Sequence, residues 1–439
     1  MDFLPQIIFA LLLLTAIVLF LRSVQRIIFN IKLGRAFDRS DQKGERWKKV
    51  FLIAFGQQKM FKKPIPAILH LFVYIGFLFV NIELLEIVID GLTGKHRVFE
   101  PVLGSFYPFL INFFEFFAVA VLLSCVVFLI RRNILSINRF KSREMTSWPK
   151  LDANIILVAE IALMFFLLSM NAADSLLMEE KGLSQSFFFS DMFKGLYAGL
   201  ASDQLLVAER VFWWAHIIGI FAFANYVPYS KHLHIFLAFP NTYWSNLNPK
   251  GHMENMPEVT NEVKMMLGAQ PDGNTAPPEE IGRFGAKDVK DLSQKSILDA
   301  YTCTECGRCT AQCPANMTGK QLSPRKIMMD TRDRAEDVGR FIKKNGPDKE
   351  DGKALIGDYI TEEEINACTS CNACVEACPV NIDPLSIILE LRRYKVMEES
   401  AGPAEWTNMY QNIETTFNPW KFPPTDRFKW AEKIKKGEA

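Results

Sequence analysis

Eight cysteines fall into two runs in the last third of the chain: Cys303, Cys306, Cys309 and Cys313 before Pro314, then Cys368, Cys371, Cys374 and Cys378 before Pro379. Each run reads Cys-x2-Cys-x2-Cys-x3-Cys-Pro, a spacing that holds [4Fe–4S] clusters. Three thiolates at intervals of three crowd around one loop, so soft sulfur ligands converge on one cluster. The fourth lies too far along to close the same cube and is expected to ligate the neighbouring one. One cluster is thus expected on Cys303, Cys306, Cys309 and Cys378, and the other on Cys368, Cys371, Cys374 and Cys313. Disulfides and structural zinc are the plainer readings. A disulfide needs an oxidising compartment. Zinc wants four ligands, commonly as two separated pairs, and does not call for a duplicated run closed by proline.

A second set of ligating side chains, His70, His216, His232 and His234, stands in apolar sequence, where a polar side chain defaults to a functional reading. The 18 residues from His216 to His234 cover about 27 Å in a continuous helix, nearly the hydrocarbon thickness, and place these two on one face, although Pro228 stands between them as a kink point. His70 and His234 approach the same surface from opposite chain directions, so they can face each other across a bundle and clamp a haem. His232 is the competing partner. His216 has no histidine at matching depth, because position 80 is Val and the nearest polar groups are Asn81 and Glu83. One haem b is expected and a second is left open; the plain alternative is hydrogen-bonded histidines without a cofactor. Glu83, Glu86, Glu115 and Glu160 also fall in apolar segments, where buried carboxylates carry protons or touch a quinol, Glu86 being near enough to the outer surface to be solvated. His96 and His252 read as surface residues, and Cys125 as a buried, inert thiol.

The elements that must position these groups divide the chain. Apolar stretches at 4–28, 64–89, 106–130, 151–170 and 205–239 are each long enough to span a bilayer. The first has Asp2 in place of a basic start and no small-residue cleavage site, so it reads as an anchor. Lysine and arginine concentrate in the first and third connections, from Lys32 to Lys63 and from Arg131 to Lys150, whereas the other two hold only Lys95, Arg97, Lys181 and Lys194. Basic loops stay in the cytoplasm. The N-terminus is therefore expected outside the inner membrane and the cysteine runs inside. Residues 241–297 read as a linker broken by Pro271, Gly273, Pro277 and Pro278, with one helix near 262–267. Further helices are expected over 286–300, 324–334 and 384–398, two of them opened by proline. The fold class is all-α: a five-helix transmembrane domain over 1–240, then a mainly helical domain with two [4Fe–4S] clusters over 298–400. An aromatic tail over 401–439 is expected to wrap its own domain or bind a partner.

The first 240 residues resemble the five-helix cytochrome b subunit of respiratory nitrate reductase, whose haem histidines lie on the second and fifth helices. That resemblance implies His70 and His234 as a haem pair, and Val80, where the family has a second histidine, puts the outer haem in doubt. The stretches YTCTECGRCTAQCPAN and ACTSCNACVEACPVNIDP resemble the helical dicluster domain of heterodisulfide reductase-like proteins. Together the two parts are similar to the membrane iron–sulfur oxidoreductases related to heterodisulfide reductase and to electron-transfer-flavoprotein:menaquinone oxidoreductase. The resemblance implies quinone as substrate. It also implies a redox partner, either a cytoplasmic subunit with the cysteine-rich catalytic module that many relatives carry or an electron-transfer flavoprotein.

The function expected is an electron-transfer subunit joining that partner to the quinone pool in the membrane lipid. The rivals are a haem-free iron–sulfur anchor for a soluble oxidoreductase and an iron–sulfur redox sensor. No dinucleotide fingerprint or nucleophile constellation is visible. A net charge of +1 gives no sign of nucleic acid.

Overall fold

The computed structural model describes residues 3–135, 137–180, 182, 187–270 and 283–437; Lys181, Pro271, Gly273, Pro277 and Pro278 lie outside the described residues. Five helices are long and apolar enough to cross a membrane. They are α1 (Leu4–Ile31), α2 (Pro64–Thr93), α3 (Tyr107–Asn133), α4 (Trp148–Glu180) and α5 (Ser202–Tyr226). Proline opens α1, α2 and α3, where its missing N–H would have had no partner anyway. Each helix packs on the next, and α1 closes the ring against α5 and α2. Small residues permit the close crossings: a Cβ on Gly76 of α2 would stand 2.5 Å from Val121 of α3, and one on Gly219 of α5 would stand 2.8 Å from Leu163 of α4. Leu11, Leu14, Phe109, Leu123, Val158 and Val211 point outward from the ring, exposed as lipid-facing side chains would be.

The fifth helix departs from expectation. It stops at Tyr226, and Pro228 sits in a short 3-10 turn, Val227–Tyr229. After a second turn, Lys231–Leu233, helix α6 (His234–Tyr243) begins. Proline cannot continue the α-helical hydrogen-bond ladder, so the chain turns at the end of the bundle. His216 and His234 therefore lie on different helices, and the face-sharing inferred from 18 residues of one helix does not hold.

Beyond α6 come α7 (Pro257–Met266), α8 (Gln294–Thr302), α9 (Pro324–Asn345), α10 (Pro384–Arg393) and α11 (Ala404–Thr416). Helix α8 starts later than expected because Asp291 accepts hydrogen bonds from the Lys287 and Asp288 amides and holds a turn there. Helix α9 runs on to Asn345; its amphipathic pattern continues past Arg334, and Ser323 caps it by accepting from the Lys326 amide at 3.4 Å. No strand forms among the described residues, only isolated bridges at Arg35–Ser293 and Ile356–Ile360.

The cysteine-bearing domain shares its core with the bundle. Ile27 of α1, Val227 and Leu233 pack with Leu292, Ile297, Tyr301, Ile327 and Leu391. Asn30 of α1 donates to the Tyr301 hydroxyl at 2.8 Å. It fits there because residue 339 is Gly, whose Cβ would overlap it. Both basic connections meet the same domain. Lys59 donates to Val375 O at 3.1 Å, and buried Arg325 donates to Glu144 through Nε at 3.1 Å and Nη2 at 2.7 Å. The tail helix α11 buries none of its residues, and Phe417, Trp420, Phe422 and Trp430 are exposed, so the tail does not wrap its own domain.

Candidate metal centres

The two cysteine loops share one backbone trace. Glu305 (φ 54°) and Gly307 (φ 71°) in the first match Ser370 (φ 55°) and Asn372 (φ 61°) in the second. Left-handed residues are uncommon outside glycine, and alternating them with right-handed ones turns successive N–H groups into one concavity, an arrangement that suits iron–sulfur sites. Ser370 N donates to Cys368 Sγ at 3.4 Å and Ile382 N to Cys378 Sγ at 3.3 Å.

The short helices Arg308–Ala311 and Ala373–Ala377 pack against each other and bring the two runs together. Cys378 comes within electrostatic reach of Cys303, Cys306 and Cys309, while Cys313 comes within reach of Cys368 and Cys374. Cys309 also comes within reach of Cys374, so the two runs lie side by side. All nine cysteines are free thiols. Among the described residues no three His, Cys, Asp or Glu side chains draw close enough to hold one ion. Ligands of a cube bind separate irons and stand further apart than those of a single zinc. Burial pushes the Cys303 thiol up to about 12 and the Cys378 thiol up to about 11, so only a bound cation would make them thiolates at neutral pH.

Inside the helical ring lies a cavity of about 850 Å³, lined by His70, His216, His232 and His234 at its histidine wall and by Cys303, Cys306, Cys309 and Cys378 where it meets the cysteine domain. The His70 and His234 ring centres are 6.2 Å apart. Two imidazoles sharing one metal hold their ring centres roughly 6 Å apart, since each metal–nitrogen bond is about 2 Å and the nitrogen sits at the ring edge. Each ring is also held by its other nitrogen. His70 Nδ1 donates to Gln57 Oε1 at 3.1 Å, and His234 Nδ1 donates to Lys231 O at 3.0 Å. A proton fixed on Nδ1 leaves the Nε2 lone pair for iron. The residues therefore fit a haem ligated by both.

His232 lies 5.6 Å from His234, nearly perpendicular to it, and among the described residues no hydrogen bond to its ring is found. His216 Nδ1 donates to Leu163 O at 2.9 Å, and no second imidazole lies against it among the described residues. Glu160 also lines the cavity. The other span carboxylates lie elsewhere. Glu115 accepts from Asn171 at 3.2 Å and from the Phe189 amide at 3.0 Å. Glu83 has a buried oxygen without a partner. Glu86 is only 5 % exposed and accepts from the Phe99 amide and the Tyr107 hydroxyl, so it is buried rather than solvated. His96 lies at the surface beside Asp174.

Several residues of the site carried no mark in the sequence. Gln57 sits in a left-handed turn (φ 49°) of the first basic connection. Glu305, in the first cysteine loop, pairs with Lys231 at 2.5 Å and with Arg332 at 2.9 Å, tying the turn that carries His232 to the loop that carries Cys306. One available signal was the asymmetry of the repeats: Glu305 and Arg308 stand where the second loop has Ser370 and Ala373.

Burial opposes the Glu305 charge, but Lys231 and Arg332 outweigh it and hold the carboxyl below its usual 4.5. A depressed carboxylate stabilises the fold above its ordinary pKa and loses that contribution as pH falls through the lowered value. Glu305→Gln should therefore destabilise the purified chain by about 1–3 kcal/mol at pH 7, by removing the nearer of the two carboxylates that meet buried Lys231 and leaving it Asp152 at 3.7 Å. The gap from wild type should narrow as pH falls below the usual carboxylate value of 4.5 and through the lowered one. Denaturant unfolding of both proteins across that range measures it.

Residues 302–382 match the family described as a 4Fe-4S dicluster domain. Over 96% of its length the chain is 28% identical to the "Probable iron-sulfur-binding oxidoreductase FadF" of Bacillus subtilis, covering 60% of that protein. It is 25% identical, over 90% of its length, to the "EtfAB:quinone oxidoreductase" of Syntrophomonas wolfei, covering 55% of it. A "Probable membrane-anchored ferredoxin" of Chromohalobacter salexigens is 32% identical over 34% of the chain and 24% of its own length. The chain thus spans a little over half the length of the first two relatives. No solved structure matches it. These relatives support an electron-transfer role resting on [4Fe–4S] clusters.

Proposed function

We propose that the chain is a membrane-anchored electron-transfer subunit, relaying electrons between a redox partner and the quinone pool through two [4Fe–4S] clusters and a haem b. The observation that carries this reading is the single cavity whose wall holds both the His70–His234 pair and the four thiols Cys303, Cys306, Cys309 and Cys378. When bound, the clusters and the haem supply one-electron carriers. The chain's own residues set their order.

Cys371 is the exposed thiol of the second set, so the cluster of Cys368, Cys371, Cys374 and Cys313 is the outer one, placed to meet a partner. The cluster of Cys303, Cys306, Cys309 and Cys378 is the inner one. Lys231, Glu305 and Arg332 fix the distance between its loop and the histidine turn, and the apolar ring keeps bulk water from the space between. The exposed aromatic tail after residue 401 offers the partner a second contact. Both basic connections and the cysteine domain lie at one end of the bundle, which supports a cytoplasmic side for the clusters by the distribution of lysine and arginine.

The test is a stopped-flow experiment on the detergent-solubilised chain. It is reduced with limiting dithionite and mixed with a short-chain menaquinone analogue, with cluster and haem absorbance followed together. Reoxidation of both by quinone is expected. A chain with full iron–sulfur content, no haem bands and no quinone-dependent reoxidation would be a plain anchor.

A further inference from the structure

The cavity wall between the histidine pair and the first cysteine loop is basic. Arg132, Arg139, Lys231, Arg308 and Arg325 all line it. The nearby carboxylates are already committed: Glu144 to Arg325, Asp152 to the Tyr226 hydroxyl and the Lys231 amide, and Glu305 to Lys231 and Arg332. Among the described residues that leaves no carboxylate within ion-pair distance of Arg132, Arg139 or Arg308. Arg132 reaches only Pro149 O, at 3.2 Å, and Arg308 only Lys59 O, at 3.5 Å.

These guanidiniums are built in rather than left on the surface. The Nε atoms of Arg132 and Arg139 are buried and have no hydrogen-bond acceptor. Both cations stand 4.9 Å from the ring centre of Phe140, so one aromatic side chain holds two of them. Arg308 is 7 % exposed and lies between Cys306 and Cys309 in sequence. It is within electrostatic reach of both His70 and Arg139, and Arg139 is also within reach of Cys306. Like charges gathered in one pocket repel, and an unmet guanidinium fork matches a carboxylate in shape and charge. The pocket therefore asks for an anion with planar oxygen pairs, next to a pair of imidazoles spaced for one metal. A haem meets both demands, because its macrocycle carries two propionates along one edge.

We infer that Arg132, Arg139 and Arg308 form a carboxylate clamp for the propionates of the haem held by His70 and His234; this rests on the haem reading above. The clamp turns the carboxylate edge toward the loop of Cys306 and Cys309. Because Arg308 belongs to that loop, the cysteine domain itself completes the haem pocket. The three cations also favour the reduced, more negative haem, so they raise its potential.

The experiment uses the full chain made without haem and reconstituted with either protohaem or its dimethyl ester, which has the same macrocycle and no charged carboxylates. Absorbance titration gives the affinity and a redox titration the midpoint potential. Wild type should prefer the diacid by at least about tenfold, the strength of one charge-assisted hydrogen bond. In the Arg139→Gln/Arg308→Gln double variant that preference should fall to within about twofold, with the bis-histidine spectrum kept and the diacid's potential lowered. Arg308→Lys, which keeps the charge and loses the fork, should lie between. Iron–sulfur content reports folding, and Arg139→Gln alone, outside the cysteine loop, serves if the double variant loses its clusters. Equal binding of diacid and ester by wild type would overturn the clamp, as would a full preference surviving in the variants. Failure of wild type to bind either compound would overturn the haem reading itself.

Discussion

His70→Ala should abolish the haem absorbance of the purified chain while its iron–sulfur content stays at the wild-type level. Among the described residues His70 and His234 are the imidazoles at metal-sharing distance with both Nδ1 atoms occupied, so the loss of His70 would remove one of the two nitrogens that would hold the iron. His70 lies in α2 and supplies no part of the cysteine loops, although it shares their cavity, so its truncation leaves their thiols in place. The residue behind it should matter in proportion: Gln57→Leu removes the acceptor for Nδ1–H and should weaken haem retention about 10- to 100-fold without abolishing it, the usual effect of an outer partner. His232→Ala should keep the spectrum, because His232 is perpendicular to His234 and no hydrogen bond among the described residues orients its ring. His216→Ala should keep it too if His70 and His234 hold the only haem, and should halve it if a second group partners His216. Pyridine haemochrome content beside iron and sulfide analysis makes the measurement. Wild-type haem content in His70→Ala would remove the assignment of His70.

What could be read in the sequence, and what could not, separates along a physical line. The cysteine runs and the five apolar spans were legible because both signals are local: fixed spacing around one loop, and length set by bilayer thickness. The pairing of His70 with His234 was legible in depth, though the helix drawn through His216 and His234 was not real. Pro228 ends that helix, and a proline in an apolar run tells where a helix breaks but not how far the chain then turns. The partners of the site were hidden because they act across long sequence separations. Glu305 meets Lys231 across 74 residues, and Arg325 meets Glu144 across 181. No periodicity reports such pairs. Glu86 was misjudged for a similar reason: the turn carrying Phe99 folds back over the end of α2 and brings an amide to it, together with the Tyr107 hydroxyl from α3. The domain boundary near 240 was placed by composition, whereas the core runs through it from Ile27 to Leu391.

Cys313→Ala should cost the chain one cluster, and the one it loses should be the outer one. By sequence Cys313 belongs to the first run, so a ligand set drawn along the chain would assign it to Cys303, Cys306 and Cys309. The fold places it instead within reach of Cys368 and Cys374, and gives its former neighbours Cys378. Iron should fall from about eight to about four atoms per chain, and the surviving EPR signal should belong to the cluster at the cavity wall. Cys378→Ala should give the same iron loss with the opposite identity. The two variants then differ in what remains connected. With Cys313 gone, the inner cluster still shares its cavity with His70 and His234, so quinone-driven reoxidation of that cluster should persist while a partner protein no longer delivers electrons. With Cys378 gone, the partner should still reduce the outer cluster around exposed Cys371, but haem reduction should be slowed by orders of magnitude. Loss in Cys313→Ala confined to the cluster of Cys303, Cys306 and Cys309 would show that each run closes on itself, and would undo the order of cofactors from partner to membrane.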